Sequence, residues 1–78
     1  MSRTNRDRAE EALQLTAKME ELTGVDDLRS QVSDIICHLM HLCRMTPDEE
    51  GNDIDFIEAL EAARFNFEAE CEEDPDDL

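Results

Sequence analysis

Apolar side chains recur along the first half of the chain at steps of three and four residues, which is the spacing of one face of an α-helix. Over residues 5–23 this stripe consists of Ala12, Leu15, Met19 and Leu22. Gly24 follows the stripe, and glycine commonly ends a helix because it adopts the left-handed conformation without strain. The pattern predicts a first helix over 5–23.

A second apolar stripe repeats every seven residues and predicts a helix over 27–45 at the centre of the core. Its members are Leu28, Val32, Ile35, Leu39 and Leu42. Asp26 and Asp27 suit the positive end of a helix dipole, so they mark its start. Pro47 disfavours helical geometry in the residue before it and marks its end.

The third helix has the clearest start signal, because Asp55 can cap it while Glu58 reaches back to the capping residue's amide. Its apolar stripe is Phe56, Leu60, Ala63 and Phe67, which predicts a helix over 55–72. We therefore expect an all-α fold, a small three-helix bundle of antiparallel helices. Residues 1–72 would form a single helical domain, and residues 73–78 a disordered acidic tail.

The amino-acid composition lies close to the boundary between folded and disordered chains. Leu, Ile, Val and Phe make up 17 of 78 residues, just above the ~20% below which disorder becomes the better expectation. A core of this size rarely supplies more than ~3–5 kcal/mol, so a bound partner or a second copy would help. The sequence leaves monomer and homodimer undecided.

The expected compartment is a reducing cytoplasm. The three cysteines are an odd number and their spacing matches no disulfide framework. The first eleven residues are polar and lack the apolar segment of a signal peptide. No stretch approaches the ~18 apolar residues needed to span a bilayer.

The chain carries a formal net charge of −15. Such a surface repels phosphate backbones and anionic lipids, so neither nucleic acid nor membrane is an expected direct partner. The charge is also unevenly placed. Residues 1–46 hold eight acids and six bases, net −2, whereas residues 47–78 hold fourteen acids and only Arg64, net −13.

Within the acidic half, a ridge of four glutamates is predicted opposite the apolar stripe of the third helix. These are Glu58, Glu61, Glu68 and Glu72. From Asp53 to Asp77 the net charge is about one per ~3.6 Å of helix, close to the ~3.4 Å along one DNA strand. Phe65 lies in the middle of the ridge, where an aromatic anchor surrounded by charge is typical of a binding surface. The predicted partner-binding residues are Glu58, Glu61, Phe65, Glu68, Glu72, Asp48, Glu49, Glu50, Asp53, Asp74, Asp76 and Asp77.

Two plainer interpretations compete with a binding surface. A run of charge is usually a solvated face that keeps a small protein soluble. Phe65 in turn could be covered by the first helix or by a second copy of the chain.

One group of side chains has the spacing of metal ligands. Asp34, Cys37, His38 and His41 lie on the polar side of the second helix at separations of three and four residues, which can surround a transition-metal ion. Zinc sites usually draw on two elements, so an ordinary helix surface is the favoured interpretation. We expect no cofactor and no catalytic residues, since no nucleophile–base pair or phosphate-binding glycine loop stands out.

The run SDIICHLMHLC followed by DIDFIEALEAARFNFEAE resembles the last two helices of the MazG-like all-α nucleotide pyrophosphohydrolases. That family binds Mg²⁺ through E-E-x-x-E on one helix and E-x-x-D on the next. Here Glu10-Glu11 is followed by Gln14 in place of the third acid, and Gln31 replaces the Glu three before Asp34. Half of the ligand set is missing, so a degenerate relative of these enzymes is the third-ranked interpretation.

A second resemblance is at the level of protein class. A very small, acidic, helical chain without a catalytic site resembles the anti-CRISPR and anti-restriction DNA-mimic proteins of phages and mobile elements, as does the run from Asp55 to Glu70. The resemblance implies an inhibitor that acts in the cytoplasm of a bacterial host cell, binds a type I CRISPR surveillance complex (Cascade) and blocks DNA or PAM recognition by acidic mimicry. The alternative is a helical protein-interaction or regulatory module.

Overall fold

The computed structural model describes residues 3–74, which form three α-helices in chain order. These are α1 (Asn5–Thr23), α2 (Leu28–Met45) and α3 (Phe56–Glu73). No strand occurs within this range, so the predicted all-α, three-helix fold is confirmed. Each helix begins and ends within one residue of the position that the apolar pattern indicates.

Local capping explains where the helices begin and end. Thr4 and Asp7 form a reciprocal capping box at the start of α1, and Gly24 ends it with φ of +78°. The Asp27 side chain accepts a hydrogen bond from the Ser30 amide at the start of α2. Asp55 accepts from the first amides of α3, so all three helices start at a side-chain cap.

The buried part of the structure lies where α1 meets α2. Met19 and Thr16 of α1 are buried there, together with Gln31 of α2. The Gln31 side-chain amide donates to the carbonyl oxygen of Val25 at 2.8 Å, which satisfies two polar groups as they leave water. A hydrogen-bonded glutamine is thus among the best-buried side chains of the described range.

The apolar stripes of α2 and α3 are much less buried than the sequence predicts. In α2 the expected central positions Leu28, Val32, Leu39 and Leu42 remain between 44% and 55% exposed. In α3, Leu60 and Phe67 are 48% and 63% exposed. The reason is that α1 packs beside Gln31, on one side of the α2 stripe, and leaves the other side open.

The end of α3 is fastened to the start of α1 by polar contacts. The Asn5 amide donates to the Asp74 carboxylate at 2.8 Å, and the Asn5 side chain donates to the Glu70 carbonyl at 3.0 Å. Arg8 pairs with the Glu70 carboxylate at 3.1 Å. α3 thus extends one residue past its predicted end, to Glu73, and Asp74 is held against α1. The rest of the predicted tail, including Asp76 and Asp77, lies outside the described residues.

The molecule is open for its size. Its radius of gyration is 14.6 Å, compared with about 11.5 Å for a compact chain of this length. Its accessible surface is 6769 Å², compared with about 4,850 Å² for a compact monomer of its mass. None of the described helices is long and apolar enough to cross a membrane.

Candidate functional site

The candidate site is one side of α3, which we call the acidic face and define as Glu58, Glu61, Phe65, Glu68 and Glu72. These residues follow one another at steps of three, four, three and four, so they share one side of the helix. All five are exposed. The helix runs without interruption from its Asp55 cap to Glu73, and the face extends over about 21 Å at ~1.5 Å per residue.

Phe65 is 73% exposed at the middle of the acidic face. The alternative in which α1 covers this ring does not hold within the chain. An exposed aromatic side chain leaves a large apolar surface in water, and its burial against another molecule would favour binding.

Few of the carboxylates on this face have a cation beside them. Arg64 lies 3.8 Å from the Glu68 carboxylate, and both side chains are largely exposed. Such surface pairs contribute ~0–1 kcal/mol and exchange readily for another partner. No ion pair within residues 3–74 involves Glu58, Glu61 or Glu72, so these three carboxylates face solvent.

The loop before the cap of α3 contains one acid that is hydrogen-bonded within the chain and three that are exposed. Asp48 has a structural part, since its carboxylate accepts from the amides of Glu50 and Asn52 at 2.9 Å each. This arrangement closes a turn that includes Gly51 with φ of +83°. The side chains of Glu49, Glu50 and Asp53 are exposed. Asp48 and Asp74 still contribute charge to the predicted binding surface, but their oxygens are engaged within the chain.

The proposed metal ligands of α2 do not assemble into a site. Within the described part of the chain, no three His, Cys, Asp or Glu side chains are arranged to hold a metal ion. The His38 Nδ1 lies 2.7 Å from the backbone carbonyl oxygen of Asp34, and Cys37 is exposed. The described residues therefore show no preformed site at Asp34, Cys37, His38 and His41. Cys71, whose position the sequence left open, lies in a groove beside Asn5 and Arg8.

The positions that resemble the MazG-like motif have other contacts. Glu11 pairs with Arg3 on the surface, and Glu10 borders an apolar groove. Gln31 is turned to the Val25 carbonyl oxygen, where its donor amide is required and a carboxylate would be unfavourable. At this position the departure from the family pattern has a structural explanation.

Two carboxylates have pKa values shifted by their hydrogen bonds, and both cap helices. The backbone amide of Thr4 is the main cause that lowers the pKa of Asp7, and the backbone amide of Ser30 is the main cause that lowers the pKa of Asp27. Hydrogen bonds to the charged form favour ionisation. These shifts belong to the starts of α1 and α2 and serve the fold.

Sequence reasoning missed the contacts between the ends of the chain. Nothing local signals that Asn5 meets Glu70 and Asp74, which are 65 and 69 residues away. The Thr4-x-x-Asp7 box did carry a signal, because Ser or Thr followed three residues later by an acid predicts a helix start. No comparable signal in the sequence indicates that the Gln31 side chain donates a hydrogen bond.

The chain matches no known family model, no curated protein and no solved structure. Function is therefore inferred from the chemistry of the chain itself.

Proposed function

We propose that this protein is a non-enzymatic inhibitor that occupies a basic nucleic-acid-binding surface of a bacterial defence complex. The observation that carries the proposal is the exposed Phe65 ring among exposed glutamates on one side of α3. The carboxylates replace phosphates in the electrostatic sense, and the ring supplies apolar contact area.

Electrostatics favour this kind of partner. A basic cleft that attracts phosphates accelerates the approach of any strongly negative protein by ~10–1000-fold at low salt. Of the formal charge of −15, −13 lies after Thr46, so the attraction would orient the molecule with α3 towards the cleft. Glu49, Glu50 and Asp53, exposed in the preceding loop, extend the negative surface.

Phe65 would act after the encounter. Charges at the rim of an interface mainly speed association, whereas a buried aromatic anchor slows dissociation. On the acidic face, the glutamates would therefore speed association and the Phe65 ring would slow dissociation.

Among basic surfaces, we favour the DNA or PAM-recognition site of a type I CRISPR surveillance complex. The class-level resemblance to small acidic phage proteins supports this choice, as does the absence of a motif for direct nucleic-acid binding in a chain of net charge −15.

A competition experiment tests the proposal. The protein, its Phe65→Ala variant and labelled target DNA would be titrated against the purified surveillance complex. We expect the wild type to displace the DNA and Phe65→Ala to bind ~30-fold more weakly or worse, chiefly through faster dissociation. Simultaneous binding of DNA and protein would overturn the mimicry.

The second candidate is a helical interaction module whose partner is another helix, favoured by the partly exposed apolar side chains of α1 and α2. It predicts that adding salt leaves partner binding unchanged or strengthens it. The third interpretation, a degenerate nucleotide pyrophosphohydrolase, predicts Mg²⁺-dependent hydrolysis of nucleoside triphosphates, which a phosphate-release assay would detect.

A further inference from the structure

The hairpin of α1 and α2 leaves much apolar surface open to solvent. Two grooves run beside the contact between the helices. One, of about 440 Å³, is lined by Ala9, Ala12, Leu13, Leu28 and Val32 among others. The second, of about 230 Å³, is lined mainly by Leu15, Met19, Ile35, Leu39 and Leu42. Apolar side chains exposed next to such grooves are a candidate interface.

One side of α2 stands out within this surface. We call it the α2 apolar face and define it as Val32, Ile36, Leu39 and Met40, which are between 42% and 48% exposed. On a helical wheel the four residues fall within an arc of about 100°. Ile36 and Met40 lie on the side of α2 away from Gln31, which packs in the contact with α1. Val32 and Leu39 border the two grooves beside that contact. Val32 and Leu39 also belong to the seven-residue repeat of α2, which is the pattern by which helices pack side by side.

We propose that a second copy of this chain packs on the α2 apolar face, so that the protein is a two-fold symmetric dimer joined through α2. The proposal is independent of the acidic face of α3 and goes beyond the inhibitory function.

The charge distribution favours an approach of two copies through α2. α3 and its flanking segments carry most of the negative charge, so two copies repel each other wherever α3 faces α3. α2 contains one acid, Asp34, and two arginines, Arg29 and Arg44, for a formal charge of +1. α2 is therefore the helix through which two such negative molecules approach with least repulsion.

The surface area fits a dimer as well. The accessible surface of 6769 Å² exceeds that of a compact monomer by about 1,900 Å², and the six residues outside the described range can account for at most about 950 Å² of this. The remainder, about 950 Å², is close to the ~800 Å² that each partner buries in a standard interface. This excess is spread over all three helices, and it is large enough to supply an interface with a second copy.

A two-fold axis through α2 would give one particle that carries two acidic faces. The same patch then serves both copies, as a closed two-fold interface requires. Two acidic faces on one particle would raise the affinity for a partner that offers two basic sites.

Sedimentation equilibrium tests the dimer directly. Samples would contain reductant because Cys37 is exposed and could form disulfides. We expect a mass of twice 9.0 kDa, with a dissociation constant that falls as salt is added, because salt screens the repulsion and strengthens apolar burial. A mass of one chain at every concentration and salt level would overturn the proposal, and so would a dimer that dissociates as salt is added.

A matched pair of variants tests the face. Ile36→Glu with Met40→Glu places two charges in the α2 apolar face and should weaken the dimer by ~100-fold or more. Leu22→Glu with Ile57→Glu adds the same charge at positions that are 66% and 57% exposed on α1 and α3, and should change it by less than ~5-fold. Equal weakening by both pairs would refute the assignment of the face.

Nuclear magnetic resonance tests the same interface on wild-type protein, so it does not depend on whether the charged variant folds. In a mixture of labelled and unlabelled wild-type protein, we expect contacts between copies from the methyl groups of Ile36 and Met40. A dimer in which these methyl groups show contacts only within their own copy would overturn the interface.

Discussion

Gln31 illustrates how one buried side chain holds the connection between two helices. The MazG-like pattern places a metal-binding glutamate here, but the side chain is 6% exposed and donates to the Val25 carbonyl oxygen. A glutamate would present a second acceptor to that carbonyl and lose the hydrogen bond while its charge is buried. The amide thus supports the turn between α1 and α2 at the position where the enzymes need a carboxylate.

Gln31→Glu should destabilise the protein by about 1–3 kcal/mol at pH 7, measured as the shift of the urea unfolding midpoint. Gln14→Glu is the matched control, because Gln14 is exposed on α1 and the same change there should cost less than about 0.5 kcal/mol. The penalty at residue 31 should shrink as pH falls through the raised pKa of the introduced carboxyl, because the protonated group can donate again. Equal effects at both positions would contradict the role of Gln31.

The helix caps carry a pH dependence of the opposite sign. Hydrogen bonds hold the pKa of Asp27 below its ordinary value, so the folded state binds the proton less readily than the unfolded state. The stabilisation is complete above the unfolded pKa near 3.9 and is lost as pH falls through the lower folded value. Acid titration followed by circular dichroism should show wild type losing helicity below about pH 4 and Asp27→Ala, already uncapped, losing less.

At the scale of elements, α3 is the most loosely attached helix. Its contacts with the start of α1 are polar and involve Asn5, Arg8, Glu70 and Asp74. Its own apolar positions Leu60 and Phe67 remain about half exposed or more. α3 also contacts α2, though much less extensively than α1 does, and a helix attached this loosely can adjust to a partner surface without unfolding the α1–α2 hairpin.

Asn5→Ala removes the side-chain hydrogen bonds to Glu70 and Arg8. We expect amide hydrogen exchange in the last two turns of α3 to rise by ~5-fold, while the centre of α2 is unchanged. Lys18→Ala is the control, because it removes only an exposed pair with Glu21. Uniform acceleration throughout the chain would show that α3 is not a separately held element.

The sequence predicts the elements better than their packing, and the reason is physical. Gly24, Asp27 and Asp55 act on neighbouring backbone groups, so their effect is readable locally. The burial of Val32 or Leu39 depends on which other helix, or which other molecule, covers it. The exposure of Phe65 was readable only as one of two alternatives, because a helical wheel does not show what lies opposite the ring.

At the scale of the whole molecule, the charge of −15 opposes folding and self-association while it favours a basic partner. The glutamates at 58 and 61 and at 68 and 72 are like charges on adjacent turns, and each such pair costs ~0.2–0.5 kcal/mol. A surface kept at a cost to stability is typical of function.

Replacement of Glu58, Glu61, Glu68 and Glu72 by Gln should therefore raise the melting temperature by roughly 2–5 °C at low salt, and less at high salt because the repulsion is already screened. The control replaces four exposed acids of the first half, Glu10, Glu20, Glu21 and Asp26, by their amides. It should change the melting temperature less, because residues 1–46 are nearly balanced at net −2. A lower melting temperature in the α3 variant would show that the acidic face stabilises the fold.

The same pair of variants gives the most direct test of the acidic face, because both remove the same number of negative charges. The measurement is the dissociation constant from the purified type I surveillance complex across a series of salt concentrations. We predict that wild-type binding weakens steeply with salt, that the α3 variant binds at least ~100-fold more weakly with a shallower salt dependence, and that the control stays within about 10-fold of wild type. Equal losses in both variants, or wild-type binding that does not change with salt, would contradict the proposal that α3 substitutes for nucleic acid.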